Sequence, residues 1–483
     1  MRRFLAMCFA FAALAAGPAL AHPEHGAAKP LAPWQQASPW PDRIVVTFAG
    51  DPARTLAVNW RTDTSVPIAQ AEIAKATPDA RFDLAARAET ARTEPISLAD
   101  VKLAAKVFDI KQNADLKPVH YHSVMFDGLE PDTLYAYRVS GGEGVWSEWF
   151  QVRTAPLKGP ITFLYLGDAQ NGILSHWART IRAAYAKAPD ARFILHAGDL
   201  VDEASRDYEW AQWFKAVGFI HGMVPAIPVA GNHEYFRPDV SVKDSQRLLS
   251  ILWRPQFRLP ELAALPTELK ETVYNVRYSD DLEIFVLDTQ GPSLDQQAAW
   301  LDTALAASTA RWKVASFHHP IFSSGRDRDN KSRREILLPV LKKHDVDLVL
   351  QGHDHTYARG AIRAQTPERT ARLSDGAVGP MFVNSVSGAK QYEWSQGRWA
   401  NYADEGVRLD QLGENTQFFQ TIRIDAATLA YDAYTADGQL YDSFKLAKDK
   451  AGKRKLLAGN PVTMPERRFK DTAPYPGTDG LNK

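Results

Sequence analysis

Five short apolar runs between residues 161 and 355 end in the same way, and this repeated ending restricts the fold more than any other feature of the sequence. Each run has the length of a buried strand and is followed, usually after a glycine, by a polar side chain that can bind a metal ion. Ligand sites in α/β proteins collect at the carboxyl ends of strands, so five such ends can converge on one site. The pattern therefore predicts an α/β domain with a polar site where these ends meet.

The side chains at these endings are carboxylates, an amide and imidazoles, which suit hard or borderline divalent metals. Taken singly, each ending has another interpretation, because an aspartate after an apolar run is often a helix cap and a histidine pair can be hydrogen-bonded at the surface. Their joint occurrence favours a two-metal site for displacement at phosphorus. The endings are Gly167-Asp168, Gly198-Asp199, Gly231-Asn232-His233-Glu234, His318-His319-Pro320 and Gly352-His353-Asp354-His355.

Residues 41–156 show a different pattern, in which short runs of alternating apolar and polar residues are separated by Gly, Pro and Asp. Such alternation predicts an all-β sandwich. Its clearest segment places Pro131, Thr133 and Tyr135 in the order Leu-x-Pro-x-Thr-x-Tyr, which resembles the corner of fibronectin type III domains. In such a corner a tyrosine hydroxyl bonds back to the chain and pins the turn. The predicted fold class is a fibronectin III-like all-β sandwich followed by an α/β domain.

Changes of composition give the limits of these regions. A connector containing Pro and Gly leads into the α/β domain, residues 160–446, in which residues 294–308 are predicted to form a helix because their apolar side chains recur on one face. Residues 447–483, rich in Lys, Pro and Gly, are predicted to be a polar C-terminal tail. Residues 22–40, rich in Pro, Ala and His, are predicted to be a flexible lead-in.

Residues 1–21 have the features of a cleaved signal peptide, with Arg2 and Arg3 ahead of an apolar stretch and small residues up to Ala21. Cleavage after Ala21 would remove Cys8, the only cysteine, so the mature chain would have no disulfide, thiolate metal site or cysteine nucleophile. No later segment is long and apolar enough to span a bilayer. We expect a periplasmic or secreted protein.

The charge of the chain gives no sign of a polyanionic partner. There are 57 Lys and Arg residues and 57 Asp and Glu residues, so neither a nucleic acid nor an anionic membrane surface is indicated. Affinity for a small phosphorylated substrate would have to be local. The cations at residues 326–334 follow the His318 strand, where an arginine could contact phosphate, but they are more simply interpreted as solvated charge. The sequence does not indicate an oligomeric state.

In their order, the five endings resemble the motifs of the calcineurin-like metallophosphoesterases, and with the preceding sandwich the chain resembles the purple acid phosphatases. The resemblance covers residues 41–446 and implies a two-sheet α/β core, flanked by helices, with a dinuclear metal centre. It implies that His233 contacts the phosphate and protonates the leaving oxygen. The implied metal ligands are Asp168 and His355 for the first ion, Asn232, His318 and His353 for the second, and Asp199 as the bridge.

Two positions depart from the family pattern at the first metal site. Purple acid phosphatases have a tyrosine ligand three residues after the bridging aspartate, where this chain has Asp202, and many other metallophosphoesterases have a histidine where this chain has Gln170. Either residue could complete the first site or act beside it. Without the phenolate no preference for ferric iron is implied, so iron, zinc and manganese are all admissible. At the His-His-Pro step His318 is the expected ligand and His319 the alternative, because the family's ligand stands two residues before the proline.

The function predicted from these residues is hydrolysis of phosphate monoesters by in-line attack of a metal-bound hydroxide, with His233 assisting departure of the alcohol. Two alternatives stay open. The same centre could act on diesters, nucleotides or acid anhydrides, because the sequence does not show the pocket walls. A non-catalytic binding protein with a structural metallophosphoesterase domain is ranked below the enzyme, because it predicts damaged ligands, whereas six family positions hold matching residue types.

Overall fold

The structure is a computed structural model that describes residues 32–97, 99, 116–236, 247–325, 328–363, 376–394 and 399–478. The predicted signal peptide and the first ten residues of the predicted lead-in lie outside the described residues. Within the described part of the chain, no helix has the length and apolar character needed to cross a membrane.

The N-terminal part of the described chain is rich in β-structure. Its strands are β1 (Asp42–Thr47), β2 (Leu56–Asp63), β3 (Gln70–Lys75), β4 (Arg87–Thr90), β5 (Arg92–Ile96), β6 (Val119–Phe126), β7 (Leu134–Gly142), β8 (Val145–Trp146) and β9 (Phe150–Arg153). One layer has the order β1-β2-β6-β5, and the other has β4-β3-β7 with β8 and β9 paired to β7. Trp60 from one layer and Tyr137 from the other belong to the same buried apolar cluster. The Tyr135 hydroxyl accepts a hydrogen bond from the Glu130 N–H (3.0 Å), which pins the turn before β7.

The rest of the chain combines strands and helices. The strands are β10 (Ile161–Leu166), β11 (Ile194–His196), β12 (Ala226–Pro228), β13 (Tyr235–Phe236), β14 (Leu248–Leu249), β15 (Tyr274–Arg277), β16 (Leu282–Val286), β17 (Trp312–Ser316), β18 (Leu348–Gln351), β19 (Tyr357–Ile362), β20 (Gly376–Ala377), β21 (Met381–Asn384), β22 (Val407–Gly413), β23 (Phe418–Ile424), β24 (Thr428–Thr435), β25 (Leu440–Lys448) and β26 (Arg454–Ala458). The α-helices are α1 (Ala178–Lys187), α2 (Asp207–Val217), α3 (Ile220–Met223), α4 (Trp253–Gln256), α5 (Leu294–Ala307) and α6 (Lys331–Lys343).

Two large mixed sheets organise these elements. The first has 12 strands in the order β20-β26-β25-β24-β23-β10-β11-β12-β1-β2-β6-β5, so it continues into the N-terminal part. The second has seven strands in the order β15-β16-β17-β18-β21-β19-β22. In the first sheet β10, β11 and β12 are parallel, and in the second β17 and β18 are parallel. Parallel neighbours end at the same edge, so the loops after these five strands can meet.

Alternating side chains place the core on both faces of the second sheet. In β18, Leu348 and Leu350 belong to the cluster shared with the first sheet, whereas Val349 belongs to a cluster shared with α5 and α6. Helix α5 buries Leu301 and Leu305 in this second cluster, which confirms the helix predicted for residues 294–308. The second sheet is therefore covered on one face by α5 and α6 and joined to the first sheet by an apolar layer on the other.

A strand pair and a buried ion cluster join the N-terminal part to the rest of the chain. Strand β1 pairs in parallel with β12, with Thr47 opposite Ala226. Asp207, the first residue of α2, accepts hydrogen bonds from Arg43 (2.8 and 3.0 Å) and from Arg61 (2.9 Å). All three charged side chains are buried. These contacts fix the N-terminal part against the sheet that carries β10, β11 and β12.

Part of the segment predicted to be a polar tail is folded onto the first sheet. Strand β26 pairs with β25, and the buried guanidinium of Arg454 forms ion pairs with Asp345 and Asp347. Further along, the Tyr475 hydroxyl accepts a hydrogen bond from the Gln391 N–H (3.1 Å). The C-terminal segment thus packs against the connection between β21 and β22 of the second sheet.

Candidate metal centre

Polar side chains from both large sheets follow the ends of five strands. Four of these strands end close to a glycine, and the polar residue comes immediately after it. The strands and the residues that follow them are β10 with Asp168, β11 with Asp199, β12 with Asn232 and His233, β17 with His318, and β18 with His353 and His355.

Four of these residues have a left-handed backbone. The φ angles are 44° at Asp168, 51° at Asp199, 77° at His353 and 47° at His355. Residues other than glycine seldom adopt this conformation, and it persists where surrounding contacts enforce it, often at functional sites. The His353 N–H, for example, donates to both carboxylate oxygens of Asp168 (2.9 and 2.8 Å).

Two glycines allow the strand ends to approach one another. At Gly198, where φ is +89°, a Cβ atom would lie 2.5 Å from Nδ1 of His318. At Gly352 a Cβ atom would lie 2.4 Å from Oδ2 of Asp168. Any larger residue at either position would displace a site side chain, so the glycines of the sequence pattern are required by this close approach.

The second half of the site is formed by Asp199, His318 and His353, whose ligand atoms lie within 4.8 Å of one another. Nε2 of His318 lies 3.1 Å from Oδ2 of Asp199 and 3.2 Å from Oδ1 of Asn232. Nδ1 of His353 lies 3.2 Å from the same Nε2. Nδ1 of His318 donates to the Ala197 carbonyl (2.8 Å), which directs Nε2 toward the other ligands.

The neighbouring His319 is placed differently from His318. Its Nδ1 lies 2.9 Å from the Thr289 hydroxyl oxygen, and its ring packs against His353 at 4.3 Å between centroids. Neither of the described ligand groups contains His319. Of the two histidines in the His-His-Pro step, the structure therefore brings His318 to Asp199.

The first half of the site is formed by Asp168, Asp199 and His355, again with ligand atoms within 4.8 Å. Nε2 of His355 lies 3.5 Å from Oδ1 of Asp168, and its Nδ1 donates to the Lys390 carbonyl (2.7 Å). The amide of Gln170 lies between two of these residues, with Nε2 2.9 Å from Oδ2 of Asp199 and 3.0 Å from Nε2 of His355. Its buried Oε1 has no hydrogen-bond partner among the described residues.

His233 lies beside the shared aspartate and is fixed by Asp202. The His233 N–H donates to Oδ1 of Asp199 (2.9 Å), and the ring Nδ1 donates to the Asp202 carbonyl through a short hydrogen bond. A carboxylate oxygen of Asp202 lies 3.6 Å from the same Nδ1, while the ring Nε2 lies 3.9 Å from Oδ2 of Asp199. Asp202 is thus next to His233, whereas Gln170 is next to the first ligand group.

Burial and mutual charge set the protonation of the ligands. Burial raises the pKa of Asp168 well above its usual value, whereas His318 and His233 outweigh burial at Asp199 and hold its pKa well below the usual value. Burial would lower the pKa of His318, but Asp199 and then Asp168 raise it to about 9. Burial lowers the pKa of His353 and His355. These two rings are therefore neutral, which is the form that binds metals, and cation binding would displace a proton from His318.

Glu234 supports the loops of the site from behind. It is buried and accepts hydrogen bonds from the N–H groups of Asp199 (2.9 Å), Leu200 (2.9 Å) and Gly231 (2.7 Å). Glu234 is the last residue of the Gly-Asn-His-Glu segment, and no role could be predicted for it from its position in the sequence. Its carboxylate holds the loops after β11 and β12 together.

Arg328, Lys390 and Tyr392 also lie at the site, and the sequence did not single them out. Nη1 of Arg328 donates to the His353 carbonyl (2.9 Å), so the interpretation of this basic segment as solvated charge is wrong for Arg328. The Tyr392 ring packs on the ring of His355, with 4.7 Å between centroids. The basic stretch that contains Arg328 is a sequence signal for a possible anion contact, whereas no local pattern indicates Lys390 or Tyr392.

Comparison with known proteins identifies both parts of the chain. Residues 161–357 match the family described as calcineurin-like phosphoesterase, and residues 41–154 match the family described as purple acid phosphatase, N-terminal domain. Purple acid phosphatase 18 of Arabidopsis thaliana is 25% identical over 408 residues, which cover 78% of this chain and 80% of that protein. Probable purple acid phosphatase 20 of the same species is 24% identical over 350 residues, which cover 70% of this chain and 75% of that protein.

A solved structure shows the same fold. The purple acid phosphatase from yellow lupin (Lupinus luteus) seeds matches with a TM-score of 0.64 at 15% identity, and the match covers 86% of this chain and 75% of that chain. This likeness concerns the fold, and the matched families and relatives indicate a metal-dependent phosphoesterase. The chain is therefore a purple acid phosphatase-like protein of the calcineurin-like metallophosphoesterase superfamily, with a β-rich N-terminal domain ahead of its metallophosphoesterase domain.

Proposed function

We propose that the protein hydrolyses phosphate monoesters at a centre of two metal ions. The observation that carries the proposal is that two groups of potential ligands share one carboxylate, Asp199. Two ion sites joined by a carboxylate form the usual arrangement for displacement at phosphorus. When bound, the ions would activate water and neutralise the charge of the transferred phosphoryl group. The names of the relatives, purple acid phosphatases, support a monoester as the substrate.

The side chains at the site fit two divalent ions. They offer oxygen and imidazole nitrogen without sulfur, which suits iron, zinc or manganese. The buried Oε1 of Gln170 is unpaired within the described structure, and rotation of this amide would exchange its NH₂ group for an oxygen ligand. We assign Gln170 rather than Asp202 to the first ion for this reason. The proposed ligands are Asp168, Gln170 and His355 for the first ion, Asn232, His318 and His353 for the second, and Asp199 for both.

We assign His233 as the residue that contacts the phosphate and protonates the leaving oxygen. Its Nδ1–H is held by the Asp202 carbonyl, so the ring cannot rotate freely and Nε2 is the nitrogen on the side of Asp199. The ring is 24% exposed, so a substrate bound at the ligand groups can reach it. Asp202 would orient this imidazole from its far side, as an acidic residue does in other catalytic pairs.

The proposal also includes the location and architecture expected from the sequence. We propose that residues 1–21 are a signal peptide cut after Ala21 and that the mature enzyme is periplasmic or secreted. We propose that residues 41–156 are a fibronectin III-like domain, which the two strand layers and the Tyr135 corner support. Residues 160–446 are the proposed metallophosphoesterase domain, and residues 447–483 the proposed C-terminal segment, which begins with the end of β25 and the paired strand β26.

Metal analysis and turnover on defined esters test this function. The purified mature protein should contain about two metal ions per chain and release phosphate from monoesters over many turnovers. Chelation should abolish this activity, and added metal should restore it. The variant Asp199→Asn should lose both metal and activity, whereas Asp127→Asn, an exposed turn residue 75% accessible, should retain both. Chelator-insensitive hydrolysis, or full activity of Asp199→Asn, would refute the assignment of the metal centre. A preference for diesters would refute the assignment of monoesters as substrates.

A further inference from the structure

Two cationic side chains lie beside the histidine of the first ligand group. The guanidinium of Arg328 is 4.8 Å from the ring centroid of Tyr392, and the ammonium of Lys390 is 5.9 Å from the same centroid. The Tyr392 ring rests in turn on the ring of His355, at 4.7 Å between centroids. The two cations are thus gathered around one aromatic ring at the edge of the centre.

The backbone of Lys390 and the side chain of Arg328 are tied to the ligand segment. His355 accepts a hydrogen bond from the Tyr392 N–H (3.1 Å) at its carbonyl and donates from Nδ1 to the Lys390 carbonyl (2.7 Å). Arg328 reaches the same segment through the His353 carbonyl (2.9 Å). These contacts hold the guanidinium of Arg328 and the backbone of Lys390 beside the metal ligands, where a substrate-binding group is needed.

The positive charge of this pair is only partly neutralised. Oδ1 of the buried Asp354 lies 3.6 Å from Nη1 of Arg328, so this carboxylate compensates one of the two cations. Within the described part of the chain, Lys390 forms no ion pair. Its charge reaches the ligands, since burial and then Lys390 lower the pKa of His355. The cluster of Arg328, Lys390 and Asp354 keeps a net positive charge facing the centre.

We propose that Arg328 and Lys390 form a subsite for a second phosphate of the substrate, so that the enzyme prefers monoesters whose alcohol carries another phosphate. The proposal rests on the phosphomonoesterase function proposed above. The phosphate that is cleaved would be held by the metal ions, Asn232 and His233, and needs no further pair of cations. Guanidinium and ammonium groups bind phosphate through charge-assisted hydrogen bonds, and a fixed pair selects for a second anionic group. Tyr392 keeps the two cations in position.

Steady-state kinetics with two matched substrates test the subsite. Fructose 1,6-bisphosphate carries the second phosphate, and fructose 6-phosphate lacks it. The metal-loaded wild type should have the higher kcat/KM for the bisphosphate. Lys390→Gln and Arg328→Gln should each lower that kcat/KM by about 10-fold, through KM, because each removes a charge-assisted contact. With fructose 6-phosphate the change in Lys390→Gln should stay within about 2-fold. Arg328→Gln also loses the hydrogen bond to the His353 carbonyl, so its effect is measured as the ratio of kcat/KM on the two substrates. Higher ionic strength should raise KM more for the bisphosphate than for fructose 6-phosphate.

Controls separate this effect from loss of structure. Lys343→Gln removes an exposed cation at the far end of α6, where it pairs with Asp302, and should change neither substrate's kinetics. Because only the backbone of Lys390 contacts His355, Lys390→Gln should keep the metal content and thermal stability of the wild type. Equal losses on both substrates, or no loss on the bisphosphate, would overturn the subsite while hydrolysis of fructose 6-phosphate still supported the proposed function. Hydrolysis of neither substrate would remove the proposed function itself.

Discussion

Replacing Gln170 with alanine should weaken the first metal site and spare the second. The amide lies 2.9 Å from Asp199 Oδ2 and 3.0 Å from His355 Nε2, so it stands among the first ligands and touches none of those specific to the second ion. Residues that support ligands are worth about 10–100-fold in metal affinity, or about 1.4–2.7 kcal/mol, and a direct ligand should cost at least as much. In the metal-free protein the variant loses two hydrogen bonds but also removes an unpaired buried acceptor, so the unfolding free energy should change by about 1 kcal/mol or less.

Calorimetric titration of chelator-treated protein with Zn²⁺ or Mn²⁺ measures this effect. Wild type should bind two ions, and Gln170→Ala should keep one site of unchanged affinity and weaken the other. Asp202→Asn is the matched comparison, because its side chain lies 3.6 Å from His233 rather than within the ligand groups. It should bind both ions as wild type does and lose kcat. The assignment of Gln170 to the first ion is refuted if Gln170→Ala binds two ions with wild-type affinity while Asp202→Asn loses one metal site.

Three further perturbations follow from the contacts described. His233→Ala should lower kcat by about 10²–10⁴-fold with metal content unchanged, since its ring is not part of either ligand group, and retention of kcat would exclude a proton-transfer role. Asp207→Ala leaves two buried guanidinium groups without their shared partner, and denaturant unfolding should show a loss of about 3 kcal/mol or more. Burial, and then His120, lower the pKa of His122 from 6.5 to about 4. Between these pH values the imidazole is therefore protonated in the unfolded chain and neutral in the folded chain. Stability should therefore fall as pH falls from about 6.5 to about 4, and His122→Gln should flatten that decline in melting temperature; an unchanged slope would contradict it.

The strand ends could be predicted because each signal is local. A buried strand, a glycine and a ligand such as Asp168 or Asp199 lie within about ten residues of sequence, and parallel strands must end at one edge. The positions of these aspartates at one edge of the sheet follow from the parallel pairing of the strands, which can be predicted without knowing the rest of the chain.

The choice between Gln170 and Asp202 could not be made from spacing. Gln170 follows Asp168 by two residues and Asp202 follows Asp199 by three, so the sequence places both close to a predicted ligand. The fold separates them, because the loop after β11 turns the Asp202 carbonyl toward His233 while Gln170 folds back over Asp199. Residues such as Lys390 reach the site from 35 positions beyond His355, and no local periodicity predicts such a contact.

The N-terminal domain is connected to His233 by a short series of contacts. Asp207 at the start of α2 is held by the buried arginines of β1 and β2, and two residues later Glu209 accepts hydrogen bonds from the N–H groups of Asp202 and its neighbour (both 2.8 Å). The Asp202 carbonyl then accepts the ring N–H of His233. Because a helix transmits a shift at one turn to the next, Asp207→Ala should lower kcat as well as stability when assayed well below its melting temperature. A variant that unfolds earlier but keeps the wild-type kcat would show that the domain contact supports folding alone.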